Sequence, residues 1–167
     1  MSETRSPVDL NIIVPFVEAT TAVLETLANT KVERDKVFVR NGDHLTGDIS
    51  AIMAMSSDKY VGSMAIAFDE EAFLHVVSSM LGEPHTTVTE DIQDACGEIA
   101  NQIFGHAKRV LNKMGHSIQK ALPSVIYAKA HVIRHMAKGG PCFAVRFKLP
   151  KGTLTVEVTL KEGSPGP

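Results

Sequence analysis

The spacing of apolar residues changes period three times along this chain of 167 residues, and that alternation constrains the fold more than any other feature. Helical spacing opens at Pro15, where the missing N–H costs nothing because a first helical position leaves it unpaired anyway. Phe16, Val17, Thr20, Val23, Leu24 and Leu27 then line one side, until Asn29 offers an end. From Lys36 to Phe68 the period falls to two. VFVR, SAIMAM and VGSMAIAF are short β-like runs punctuated by NGD and SSDK turns. The second and third runs are apolar on both faces, as in the middle of a covered sheet. DEEAFLHVVSSMLG carries acidic residues in its first turn and Gly82 at its end, both of which suit a helix.

The longest helical pattern runs from Thr87 to Met114, with Ile92, Cys96, Ile99, Ile103, Ala107, Val110 and Met114 as its apolar stripe. After Pro123 the period returns to two. SVIYAKAHVIR, CFAVRFKL and TLTVEVTLK, separated by AKGGP and PKG, read as a meander of three antiparallel strands. In the last, Leu154, Val156, Val158 and Leu160 face one way, with Thr155, Glu157, Thr159 and Lys161 opposite. The expected fold is therefore α+β: one domain over residues 8–161, with helices packed on one face of a mostly antiparallel sheet. Residues 1–7 and 162–167, polar and bearing Pro or Gly, are expected to be disordered tails. No repeat or interdomain linker interrupts the chain.

Composition narrows the function. A formal net charge of −2 and only 5% aromatic residues provide no electrostatic footprint for nucleic acid or an anionic membrane. No apolar run is long enough to span a bilayer, and MSETRSPVDL lacks the basic start and apolar segment of a secretory signal. The two cysteines, Cys96 and Cys142, are expected to stay reduced, Cys96 as a buried thiol on an apolar helix face. These features favour a cytoplasmic protein.

The long helix also carries a polar stripe: Asp94, Glu98, Asn101, Gly105 and Lys108 follow steps of four, three, four and three. Most such stripes are merely solvated faces. Asn is a mediocre helix former, however, and Glu98 is the one glutamate followed by Asn three residues later. A glycine inside a helix costs about 1 kcal/mol relative to alanine, and Gly105 lies on the polar face, where its natural use is to let another molecule approach closely.

Asp94-x-x-x-Glu98-x-x-Asn101-x-x-x-Gly105 resembles the signature helix of the CheC/CheX/FliY chemotaxis phosphatases. VPFVEATTAVLETL is similar to the opening helix of CheX proteins, although Val14 replaces the Asn of the usual Asn-Pro-Phe-like element. GEIANQIFGHAKRVLNKMG followed by ALPSVIYAKAHVI matches the CheX order of long helix, proline and strand. The likeness covers roughly residues 10–161 and implies a CheC-like fold. CheC-type relatives carry the motif twice; here the opening helix has Glu18-Ala-Thr-Thr21, with threonine where asparagine is required, so one site per chain resembles CheX.

The resemblance implies hydrolysis of the aspartyl phosphate of a CheY-like response regulator in chemotaxis. The regulator would supply the Mg²⁺ and the phosphate cradle, so this chain needs no cofactor or metal of its own. Asn101 would position a water in line with the scissile P–O bond, because a neutral carboxamide offers both an acceptor and donors beside an anion. Glu98 would engage the regulator's active-site lysine, and Asp94, Gly105 and Lys108 would contact the partner. CheX relatives are dimers that pair strands across subunits, so a homodimer is implied, and the last strand is expected to be the edge that pairs. Two other readings stand beside this one. A non-catalytic module of the same fold could bind a regulator or a flagellar switch. A metal site at His131 and His135 is disfavoured, because four residues of strand span roughly 13 Å.

Overall fold

The structure, a computed structural model, describes residues 10–40, 45–120, 122–133 and 142–163. After a short 3₁₀ turn, helix α1 spans Val14–Ala28, with Pro15 in its first turn and Asn29 closing it in the left-handed conformation. Strands β1 (Glu33–Arg40), β2 (Leu45–Ser56) and β3 (Tyr60–Phe68) follow. Helices α2 (Glu70–Leu81) and α3 (Glu90–Lys113) come next, then β4 (Gln119–Lys120), β5 (Ser124–Ile133), β6 (Cys142–Lys148) and β7 (Thr153–Glu162). The NGD turn, the AKGGP connection and the N-terminal tail fall outside the described residues. Strand β7 runs one residue past the expected domain end, pairing Glu162 with Tyr60.

All pairings among the described strands are antiparallel, in the order β1-β6-β7-β3-β2, with β4 and β5 both pairing to β2. The fold is α+β with the helices on one face, as the periodicity requires. The expected three-strand meander is only half right. β6 and β7 form a hairpin, but β5 leaves them and pairs β2 on the far side of the sheet. The last strand is therefore no edge. β7 lies between β6 and β3, and among the described strands the edges are β1 on one side and the short β4 with β5, both beyond β2, on the other.

Helix α2 shows how local signals meet tertiary ones. Asp69 caps it, one oxygen accepting from Ala72 N at 2.9 Å and the other from Thr153 N at 2.9 Å, so the cap also clamps the β6–β7 hairpin. Gly152 turns that hairpin at φ 74°, and any Cβ there would collide with the Asp69 carboxylate. The helices bury a shared core against Met53, Met64, Ile66, Leu154, Val156 and Val158 of the sheet. Phe16 of α1 meets Phe104 of α3 edge to face at 6.0 Å.

The other face of the sheet departs from expectation. Glu157 and Thr159, on the polar side of β7, are almost fully buried rather than solvated. The pairing of β2 with β5 slips between Gly47 and Ile49. Leu45 and Ile133 thereby pack on Ala65 and Ala67, away from the helices. The Cys142 thiol donates to Glu157 Oε1 at 3.2 Å.

Candidate functional site

Helix α3 carries the candidate site because its two sides have opposite chemistry. Ile92, Cys96, Ile99, Ile103 and Ala107 are buried as expected, and burial pushes the Cys96 thiol pKa far up. The stripe then shifts: Leu111 is buried, Val110 is half-buried and Met114 is exposed, so the last turn does not follow the expected line. A strict 3.6-residue period predicts Leu111, four after Ala107, as well as Val110, three after; only the tilt of the helix against the sheet selects between them.

On the solvent side, Glu98, Asn101, Gln102, Gly105, His106 and Arg109 line a shallow open depression of about 490 Å³. Glu98 is exposed and Asn101 half-buried. They stand about 4.5 Å apart along the helix axis. A Cβ placed on Gly105 would meet nothing within 4 Å, so the floor of the depression is open where that glycine lies. The Gln102 side-chain amide donates to Glu98 Oε1 at 2.9 Å. The structure thus brings together Glu98, Asn101 and Gly105. It leaves Asp94, exposed one turn before Glu98, and Lys108, half-buried, outside the depression's lining.

Sequence reasoning missed Gln102, His106 and Arg109. The signal for Gln102 and Arg109 was present: 98, 102, 105 and 109 follow steps of four, three and four, a second row beside the first, with His106 four after Gln102. It also missed Gly97. A Cβ there would lie 3.2 Å from Val125 Cγ2 and 3.4 Å from Pro123 Cγ. The absent side chain lets the start of β5 close against α3 at the turn that presents Glu98 and Asn101.

The opening helix has a depression of its own, about 470 Å³, lined by Val17, Glu18, Thr21, Ala22, Glu25 and Arg34. Thr21 Oγ1 points back to the Val17 carbonyl at 3.4 Å, bonding its own helix. No carboxamide lines this second depression. His131, on β5, has both ring nitrogens in hydrogen bonds, Nε2 to Ser50 Oγ and Nδ1 to Ala128 O, each at 2.7 Å; His135 lies outside the described residues. Among the described residues no helix is long and apolar enough to cross a membrane.

A single antiparallel sheet under three helices, with a carboxylate and a carboxamide one turn apart on the open side of the longest, defines a CheC-like protein with one such site. The family model of the chemotaxis phosphatase CheX matches residues 49–148, and the chain belongs to that family. It is 37% identical to a CheX from Desulfovibrio desulfuricans, covering 90% of this chain and 99% of that one, with a TM-score of 0.83. CheX from Vibrio vulnificus is 31% identical over 90% of this chain and 99% of that one, with a TM-score of 0.85. CheX of Borrelia burgdorferi, solved in complex with CheY, BeF₃ and Mg²⁺, shares 24% identity over 92% of this chain and all of its own, with a TM-score of 0.75. At that identity the likeness is one of fold. No curated protein matches the chain.

Proposed function

We propose that this chain hydrolyses the aspartyl phosphate of a CheY-like receiver domain, with Asn101 positioning the attacking water and Glu98 docking the receiver's active-site lysine. The observation that carries the reading is the pairing of Glu98 and Asn101 in one depression that opens outward at Gly105. An acyl phosphate is intrinsically labile. Its hydrolysis asks for a water held in line with the P–O bond and for neutralised phosphoryl oxygens, not for a strong base. The Asn101 carboxamide oxygen would accept from that water while its NH₂ donates to a phosphoryl oxygen. Water attacks phosphorus, the bond to the aspartyl oxygen breaks, and inorganic phosphate leaves. The Mg²⁺ that offsets the phosphoryl charge would be the receiver's own; the Borrelia complex contains CheY, BeF₃ and Mg²⁺.

The protein acts as a homodimer in the cytoplasm on this reading, and the pairing edge moves from β7 to β5. Of the two long edges, β1 reads ERDKVFVR and carries five charges around its exposed Val37 and Val39, with Asp35 accepting from Arg146 at 2.8 Å. β5 reads SVIYAKAHVI, ten residues with one lysine, and exposes Ile126, Tyr127 and Val132. An uncovered apolar edge of that length invites pairing with a second copy. A reducing cytoplasm suits the two buried cysteines, which form no disulfide.

The test is Asn101→Ala assayed against phosphorylated receiver domains. The rate should fall about 10²-fold or more, the usual effect of removing one preorganised polar group at a reacting centre, with binding to a beryllofluoride-activated receiver largely kept. Hydrolysis at the unsubstituted rate would leave only a receiver-binding module.

A further inference from the structure

Gln102 has no part in the reaction as described, yet its amide holds the carboxylate that does. Nε2 donates to Glu98 Oε1 at 2.9 Å, from a residue one turn further along α3, the spacing at which helix side chains meet. Both side chains are exposed. A free glutamate on a helix surface samples many rotamers, and that freedom is lost when the side chain docks.

We infer that Gln102 is a positioning residue for Glu98: it fixes one carboxylate oxygen and leaves Oε2 to meet a cation on the partner. This rests on the reading that Glu98 binds the receiver's lysine. The chemistry of the residue fits the task. A lysine at 102 would also hold Glu98, but its ammonium would neutralise the carboxylate and compete with the partner's cation. A glutamine orients the group and leaves its charge intact. The depression's own cation, Arg109, lies eleven residues from Glu98, about 16 Å along the helix axis, too far to compete. It faces the far end of the same surface.

Gln102→Met keeps the length and helix propensity of the side chain and removes its amide. The substitution should weaken binding to a beryllofluoride-activated receiver about fivefold, the cost of ordering one more side chain on docking. KM should rise by the same factor, while kcat changes by less than about twofold. In a Glu98→Ala background Gln102→Met should do nothing further, since there is no carboxylate left to hold. An equal loss in both backgrounds would mean that Gln102 touches the partner directly, and a fall in kcat at saturating receiver would place it in the chemistry; either overturns the assignment. The free protein supplies a second measurement. NMR scalar couplings of Glu98 should report one side-chain rotamer in the unsubstituted chain and an average in Gln102→Met. Averaged couplings in both would refute the positioning role whether or not any receiver binds, whereas failure of every receiver to bind would overturn the phosphatase reading alone.

Discussion

Gly105→Ala should make this protein more stable and worse at its task. In the interior of a helix, alanine is favoured over glycine by about 0.8–1.0 kcal/mol. At Gly105 nothing opposes that gain, because the added methyl would meet no atom within 4 Å. For a chain of this size, about 1 kcal/mol corresponds to a rise in Tm of roughly 2–4 °C. The same methyl stands in the depression between Asn101 and Arg109, where the receiver's surface would have to come close. An overpacked contact costs about 1–3 kcal/mol, or roughly thirtyfold in affinity at the middle of that range. Gly97→Ala on the same helix is the control. Its methyl would press Val125 Cγ2 at 3.2 Å and Pro123 Cγ at 3.4 Å, the latter in a rigid ring. The propensity gain is thereby cancelled, and Gly97→Ala should be less stable than Gly105→Ala by about 1–3 kcal/mol. Thermal unfolding followed by circular dichroism ranks the two variants, and titration with a beryllofluoride-activated receiver measures docking. A lower Tm for Gly105→Ala would contradict the open helix surface described for it. A higher Tm with unchanged receiver binding would show that the glycine is not there for close approach.

Three other outcomes follow from the same geometry. Glu98→Ala should weaken receiver binding as well as turnover, by about 1.5–3 kcal/mol for a lost charge-assisted contact, and leave Tm within about 1 °C because the side chain is exposed; a binding isotherm beside a melting curve checks both. Asp48 accepts from Ala130 N at 3.0 Å and from Glu70 N at 2.9 Å, bonds that hold its pKa below the ordinary aspartate value, the Ala130 bond most. Asp48→Asn, whose side chain has one acceptor oxygen and an NH₂ donor in place of the other, should cost about 1–2 kcal/mol at pH 7. The depressed pKa means that this stabilisation is present above the unfolded value of about 3.9 and is lost as pH falls through the folded value below it. The gap between the two proteins in urea titrations should therefore close below about pH 4; a gap independent of pH would refute the assignment. Ile126→Lys with Val132→Lys should convert a dimer of twice 18.0 kDa into an 18.0 kDa monomer by light scattering. A dimer that survives both charges is not built on β5.

Much of the candidate site's layout was legible because helix geometry is local. The spacing of Glu98, Asn101 and Gly105 puts them on one face of any α-helix, whatever surrounds it, and the depression does contain all three. The limits of the depression were not legible. Whether Asp94 and Lys108 or Gln102 and Arg109 border it depends on how α3 tilts over the sheet and on Pro123 and Val125 closing beside Gly97. Those contacts join positions some 25 residues apart, and no local period reports them.

The strands divide the same way. Alternation and turn residues alone determined that β3, β6 and β7 exist, that Leu154, Val156, Val158 and Leu160 share the core face, and that Asp69 and Gly82 bound a helix. Charged β1 and the polar start of β2 were harder to read, since an edge strand and a bend carry little apolar pattern. Which strand pairs which was decided only in three dimensions. β5 and β6 are consecutive and similar in pattern, yet one pairs β2 and the other takes a place between β1 and β7. A side-chain period of two states which face a residue occupies and says nothing about which backbone will meet its hydrogen bonds. That choice belongs to the burial of the whole sheet beneath its helices, and it moved the exposed edge from the last strand to the fifth.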